Sequence, residues 1–225
     1  MKNDLNEFNI EGDKDELYYK IMIIGSKGVG KTQISKRFCK EPFEEKYKPT
    51  FGMDFRVHKY FSKNVTATVQ IIDVSGQHSP TKDILNEYIL DTDCFICVYD
   101  ITKFTTIKNL NILVLEYEKI IQNNNKEQCW LYVGNKLDLK SRECSDNSDD
   151  LFEYKPKGYI GFKEVSAKEN RDIQDIFDTA LTAIKYYKKK NKANNERLKD
   201  INSKIKSETK EIIVKSENKS GCSVF

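Results

Sequence analysis

The string GSKGVGKT at residues 25–32 narrows the fold more than any other part of the chain. Its outline is Gly, four residues, then Gly-Lys-Thr. An apolar, β-rich run, LYYKIMIIG (17–25), precedes it, and KTQISKRFC (31–39) reads as a helix. A glycine-rich turn between strand and helix aims several backbone N–H groups at one point, and the helix N-terminus adds its positive end. That is a cradle for phosphate. Lys31 is placed to bridge β- and γ-phosphate oxygens, and Thr32 to offer its hydroxyl to Mg²⁺. Gly25, Lys27, Gly28, Val29, Gly30 and Gln33 complete the nucleotide-binding candidates of this loop. Lys27 stands where a residue with little side chain would be the easy choice.

The rest of the chain alternates strands and helices. Strands are expected at 17–25, 55–61, 66–73, 94–100, 129–134 and 159–165. Helices are expected at 31–39, 81–90, 105–121 and 170–188. The third of these is amphipathic through Ile107, Leu110, Leu113, Tyr117 and Ile120. Such alternation predicts an α/β fold: a mostly parallel six-stranded sheet with helices on both faces. A short turn near Asn64 joins the strands at 55–61 and 66–73, so one edge strand is antiparallel. The stretch 139–157 is irregular, with room for a short helix around Asp149–Tyr154.

Charge divides the chain unevenly. Its net charge is +3, but Lys185–Phe225 holds twelve Lys/Arg against five Asp/Glu, a net +7, which leaves −4 on residues 1–184. An acidic body with a basic tail is not a nucleic-acid surface. The acidic, polar start MKNDLNEFNIEGDKDE does not read as a secretory leader. The six cysteines are therefore expected as free thiols. Cys94 and Cys97, three apart on an apolar strand, point to opposite faces and read as packing residues.

Three further strings carry chemistry, each directly after an expected strand. In DVSGQ (73–77), Asp73 suits Mg²⁺, Gly76 lets a backbone N–H approach a γ-phosphate, and Gln77 can orient a water. In NKLD (135–138), the Asp138 carboxylate can accept two hydrogen bonds from the N1–H and N2 edge of guanine, which adenine cannot supply. Asn135 can bond the N7 side of the base, and Lys136 can lie along the ring. In Ser166-Ala167-Lys168, the Ala167 N–H can meet the guanine O6. Ligands of α/β sheets bind at these C-terminal strand ends.

The ordered set GSKGVGKT, Thr50, DVSGQ, NKLD and SAK resembles a small GTPase of the Ras superfamily over residues 17–188. Within it, PTFGMDF (49–55) is similar to the Rab effector loop. The resemblance implies a three-layer P-loop NTPase G domain at 16–188, between a flexible leader (1–15) and a basic, flexible tail (189–225). It implies GTP/GDP and Mg²⁺ as ligands, with Thr32, Thr50 and Asp73 on the metal. By the same resemblance Phe43 is expected to pack on guanine and Tyr47 to close over the phosphates, with Gln77 and Lys31 as the catalytic residues. It also implies an exchange factor, a GTPase activator, and effectors bound through Phe43–Phe55 and Asp73–Leu90, on a monomer. The chain departs from the Rab pattern at Ile72, where Trp is usual, and at GQHSP (76–80), where GQERF is usual.

The string GCSVF (221–225) fits a prenylation box on Cys222, with Phe225 pointing to geranylgeranyl. A single lipid binds membranes weakly, and the basic tail supplies a second signal. The expected place is the cytoplasmic face of an intracellular or plasma membrane, with a cytosolic pool. The expected function is a slow GTP-hydrolysing switch in vesicle traffic. Two alternatives stay open: a GTP-dependent binding module that barely turns over, suggested by Lys27 and Ser75, and a Ras-like signalling GTPase.

Overall fold

The computed structural model describes residues 17–61, 66–77, 81–122, 126–144, 151–192 and 197. The leader, the turn near Asn64, Cys222 and nearly all of the tail beyond 192 lie outside these. The chain divides into two compact units, one up to Ile184 and one from Lys185. In the second unit, residues 185–192 are helical.

The first unit is built on six strands: β1 (Tyr18–Ile24), β2 (Met53–Phe61), β3 (Thr66–Val74), β4 (Cys94–Asp100), β5 (Cys129–Asn135) and β6 (Tyr159–Glu164). Helices α1 (Lys31–Phe38), α2 (Lys82–Asp91), α3 (Thr105–Ile121) and α4 (173–184) lie between and after them. The sheet order is β2-β3-β1-β4-β5-β6. Only the β2–β3 pair is antiparallel; β1–β3, β1–β4, β4–β5 and β5–β6 are parallel. Central strands β4 and β5 are buried at every position, as expected of parallel strands covered on both faces. Edge strand β2 instead alternates, with Phe55, Val57, Lys59 and Phe61 exposed.

Apolar side chains fix which helix covers which face. On one side Met22, Ile24, Ile72, Val74, Phe95, Cys97 and Tyr99 pack with α2 and α3 through Leu85, Ile89, Ile107, Leu110, Val114 and Tyr117. On the other side α1 and α4 meet through Phe38 and Phe177, whose stacked rings are 3.7 Å apart. Cys94 and Cys97 are buried free thiols whose acidity burial suppresses. Among the described residues no helix is long and apolar enough to cross a membrane.

One local expectation is extended and two need correction. On α3 the expected stripe packs as read, Ile107, Leu110 and Tyr117 buried and Leu113 and Ile120 partly buried against the core, but it widens to take in Val114, which is fully buried at i+4 from Leu110. Helix α4 begins at 173, not 170: Asn170 and Asp172 have left-handed backbones (φ 57° and 59°), and Arg171 bridges Ser166 instead. The expected helix at Asp149–Tyr154 is not helical over 152–154; Phe152 there plugs the core against Tyr132 and Tyr99.

Candidate nucleotide site

Parallel strands deliver their following loops to one edge of the sheet, and a cavity of about 440 Å³ opens there. The loops after β1, β3 and β5, the loop after β6 and the segment 43–50 all contribute to its wall. Lys27, Gly28, Gly30, Lys31, Thr32 and Gln33 line it from the glycine-rich loop. Phe43, Tyr47 and Thr50 line it from the segment before β2. Gly76 and Gln77 follow β3, Asn135 ends β5 with Lys136 and Asp138 just after it, and Ala167 and Lys168 follow β6. Four expected residues stand behind the wall. Gly25 accepts from Lys31, Val29 is buried, Asp73 is buried and accepts from Thr32, and Ser166 holds Asp138.

Lys31 is buried, and its ammonium donates to the carbonyls of Gly25 (2.9 Å) and Ser26 (3.0 Å). Burial pulls it down to about 8, with Asp73 acting the other way. An anion in the cavity would restore what desolvation removes. Gly76 is packed so tightly on the glycine-rich loop that a Cβ there would lie 2.4 Å from the Lys27 backbone nitrogen. The loop after β3 is thereby pressed against the phosphate cradle.

Thr32 Oγ1 donates to Asp73 Oδ2 (2.5 Å) and lies 3.0 Å from Thr50 Oγ1. Asp73 Oδ1 is buried without a partner, and burial raises this carboxyl above its ordinary range. A carboxylate short of hydrogen bonds beside two hydroxyls fits a hard divalent cation that completes its shell with phosphate and water oxygens.

At the other end, Ser166 Oγ donates to Asp138 Oδ1 (2.7 Å) and so fixes that carboxylate. Asn135 acts as a brace: Nδ2 donates to Val29 O (2.8 Å), and Oδ1 accepts the Ala167 N–H (3.0 Å). Asn135 thus engages the Ala167 N–H and ties two loops together. Lys136 is likewise committed, 2.6 Å from Asp100 Oδ2. Asp100 also accepts from the Thr102 N–H (3.0 Å) and hydroxyl (2.7 Å). Burial works against its charge, yet Lys136 and Thr102 hold its carboxyl below the ordinary range.

Sequence reasoning missed Asp100. Its one signal was position, an Asp ending β4 as Asp73 nears the end of β3. Gln33 also gains a specific task, because its Oε1 accepts the Glu44 N–H (3.0 Å) and anchors the segment before β2. Ser75, in place of a smaller residue, is buried, and its hydroxyl accepts the Gln77 N–H at 3.3 Å. Arg56 is held by Glu41 and Asp54, away from the cavity.

Comparison with known proteins agrees with this geometry. The model of the Ras family matches residues 20–186. The chain is 32% identical over 170 residues to Ras-related protein Rab-1 of Theileria parva, covering 74% of each chain. It is 36% identical over 160 residues to mouse Ras-related protein Rab-12, covering 70% of this chain and 63% of the relative. It is 31% identical over 183 residues to DnaJ homolog subfamily C member 27-A of Xenopus laevis, covering 79% of this chain and 66% of the relative. A phosphate cradle, a hydroxyl-carboxylate cluster and a fixed aspartate on one cavity thus coincide with a family match over most of the sequence, and the chain belongs to the Ras family, small GTPase switches that bind guanine nucleotides.

Proposed function

We propose that this chain is a Rab-like, slowly GTP-hydrolysing switch that associates with membranes and recruits vesicle-traffic effectors in its GTP state. One observation carries the reading: Gly76 and Gln77 share a cavity wall with Lys31, Thr32 and Thr50, while Asp138 stands at the far end. Residues 16–188 form the switch and 189–225 the tether.

Asp138, steadied by Ser166, selects guanine, and Phe43 covers the base. Lys31 neutralises charge on the β- and γ-phosphates. Thr32, Thr50 and Asp73 would hold Mg²⁺, which would supply positive charge against the phosphate oxygens. Gln77 orients the attacking water, and the products are GDP and phosphate. Loss of the γ-phosphate removes the partner of Thr50 and of the Gly76 N–H, which frees both segments and ends effector binding through Phe43–Phe55 and Asp73–Leu90. Among the described residues no arginine lines the cavity to speed the step, so an activator is required, and an exchange factor reloads the site. Prenylated Cys222 and the basic tail bring the switch to the cytoplasmic face of a membrane.

A second reading, a binding module of very low turnover, is favoured by the Ser75 hydroxyl. It holds the Gln77 backbone within the turn and restricts the movement that water positioning needs. Extraction of the nucleotide from purified protein tests the primary reading first. Bound GDP or GTP supports it, and an adenine nucleotide in its place would contradict it.

A further inference from the structure

Lys27 has no part in the scheme above, yet its position is well defined. Its backbone is wedged against Gly76. Its side chain is exposed and reaches the other side of the cavity mouth, where Nζ lies 5.9 Å from the centre of the Tyr47 ring. Tyr47 is itself 56% exposed, so core packing does not place the ring there. The segment carrying Tyr47 has no regular structure over 41–52. It is anchored before Tyr47 at Glu44, by Gln33 and by the Lys36 ammonium (2.7 Å). It is anchored after it at Gly52, whose carbonyl accepts the Ser75 N–H (2.9 Å). Tyr47 lies in the span between these anchors, on the wall of the cavity.

We propose that Lys27 and Tyr47 form a latch across the mouth of the nucleotide site that slows nucleotide release. The latch rests on the guanine-nucleotide reading, because it acts on whatever the cavity holds. A cation over an aromatic face is attracted by the ring quadrupole, and Tyr is a good platform. The contact joins the rigid cradle to the irregular segment at its middle, so opening the segment breaks it. A small residue at 27 reaches nothing, and the segment then opens without that cost. Because both partners belong to the protein, the latch holds GDP and GTP alike. It differs in this from Thr50, whose proposed hold depends on the nucleotide state.

The test is release of a fluorescent GDP analogue from the full chain in Mg²⁺, chased with excess unlabelled GDP. Wild type, Lys27→Met, Tyr47→Leu, Tyr47→Phe and both double variants are compared. Lys27→Met should speed release roughly two- to five-fold, the worth of one exposed cation–π contact. The same substitution should speed release equally in the Tyr47→Phe background, which keeps the ring, and have no effect in the Tyr47→Leu background. Equal acceleration in all three backgrounds would mean that the lysine charge acts alone, and the latch is wrong. No acceleration in any background overturns it as well. Failure of wild type to load the GDP analogue is seen before the chase begins; it overturns the guanine-nucleotide reading and the latch with it.

Discussion

Asp138 and Asp100 show how much the chemistry of this site depends on single carboxylates with different tasks. Asp138, held by Ser166, has the donor-accepting character that guanine requires. Asp138→Asn replaces an acceptor by a donor and should move preference from guanine to xanthine nucleotides by roughly ten- to a hundred-fold, the cost of one unpaired buried group. Competition binding with GDP and XDP measures it, and an unchanged preference contradicts the assignment. Asp100 faces inward to Lys136 and Thr102, and its folded carboxyl lies below the ordinary range. Such a group stabilises the fold above the unfolded carboxylate value, about 3.8, and loses that contribution as pH falls through the folded one. Wild type should therefore be more stable than Asp100→Asn by about 1–3 kcal/mol at pH 6. The gap should close below about pH 3.8. Urea unfolding at several pH values reads it, and a gap that persists in acid contradicts the role given to the charge.

Loops and strands position these residues, and the brace through Asn135 is the clearest case. It joins the turn after β1 to the turn after β6 through Val29 and Ala167. Asn135→Ala leaves a buried carbonyl and a buried N–H unpaired, each costing about 1–3 kcal/mol. The melting temperature should fall by roughly 5 °C or more, by the usual scaling for a domain of this size. Nucleotide release should accelerate in the same variant. A melting curve like that of wild type would show that the brace is dispensable.

At this scale much was legible in advance. β4 and α3 have the expected bounds, and the other strands differ by one or two residues at their ends, because apolar runs and turn residues are local signals. The motifs share one cavity because parallel strands send their C-terminal ends to one edge. What could not be read was pairing between distant residues. Nothing in sequence spacing links Lys136 to Asp100, Lys27 to Tyr47, or Phe152 to the core. The start of α4 was misplaced because left-handed backbones at Asn170 and Asp172 carry no glycine signal.

As a whole molecule the chain pairs an acidic body, built around one nucleotide site, with a basic tail that carries Cys222. The proposed switch needs both parts, and they are separable by mutation. Cys222→Ser should shift the protein from membranes to the soluble fraction of its cell while nucleotide binding is unchanged. Persistent membrane association would assign attachment to the tail lysines or to a partner. The central claim, however, concerns turnover in the body. Single-turnover hydrolysis of bound GTP, followed on wild type and Gln77→Leu in Mg²⁺, tests it most directly. Wild type should convert GTP to GDP slowly but measurably, and Gln77→Leu at least roughly tenfold more slowly, as expected for loss of a general catalytic group. Equal rates in the two proteins would contradict it and leave a guanine-nucleotide module that binds without turning over.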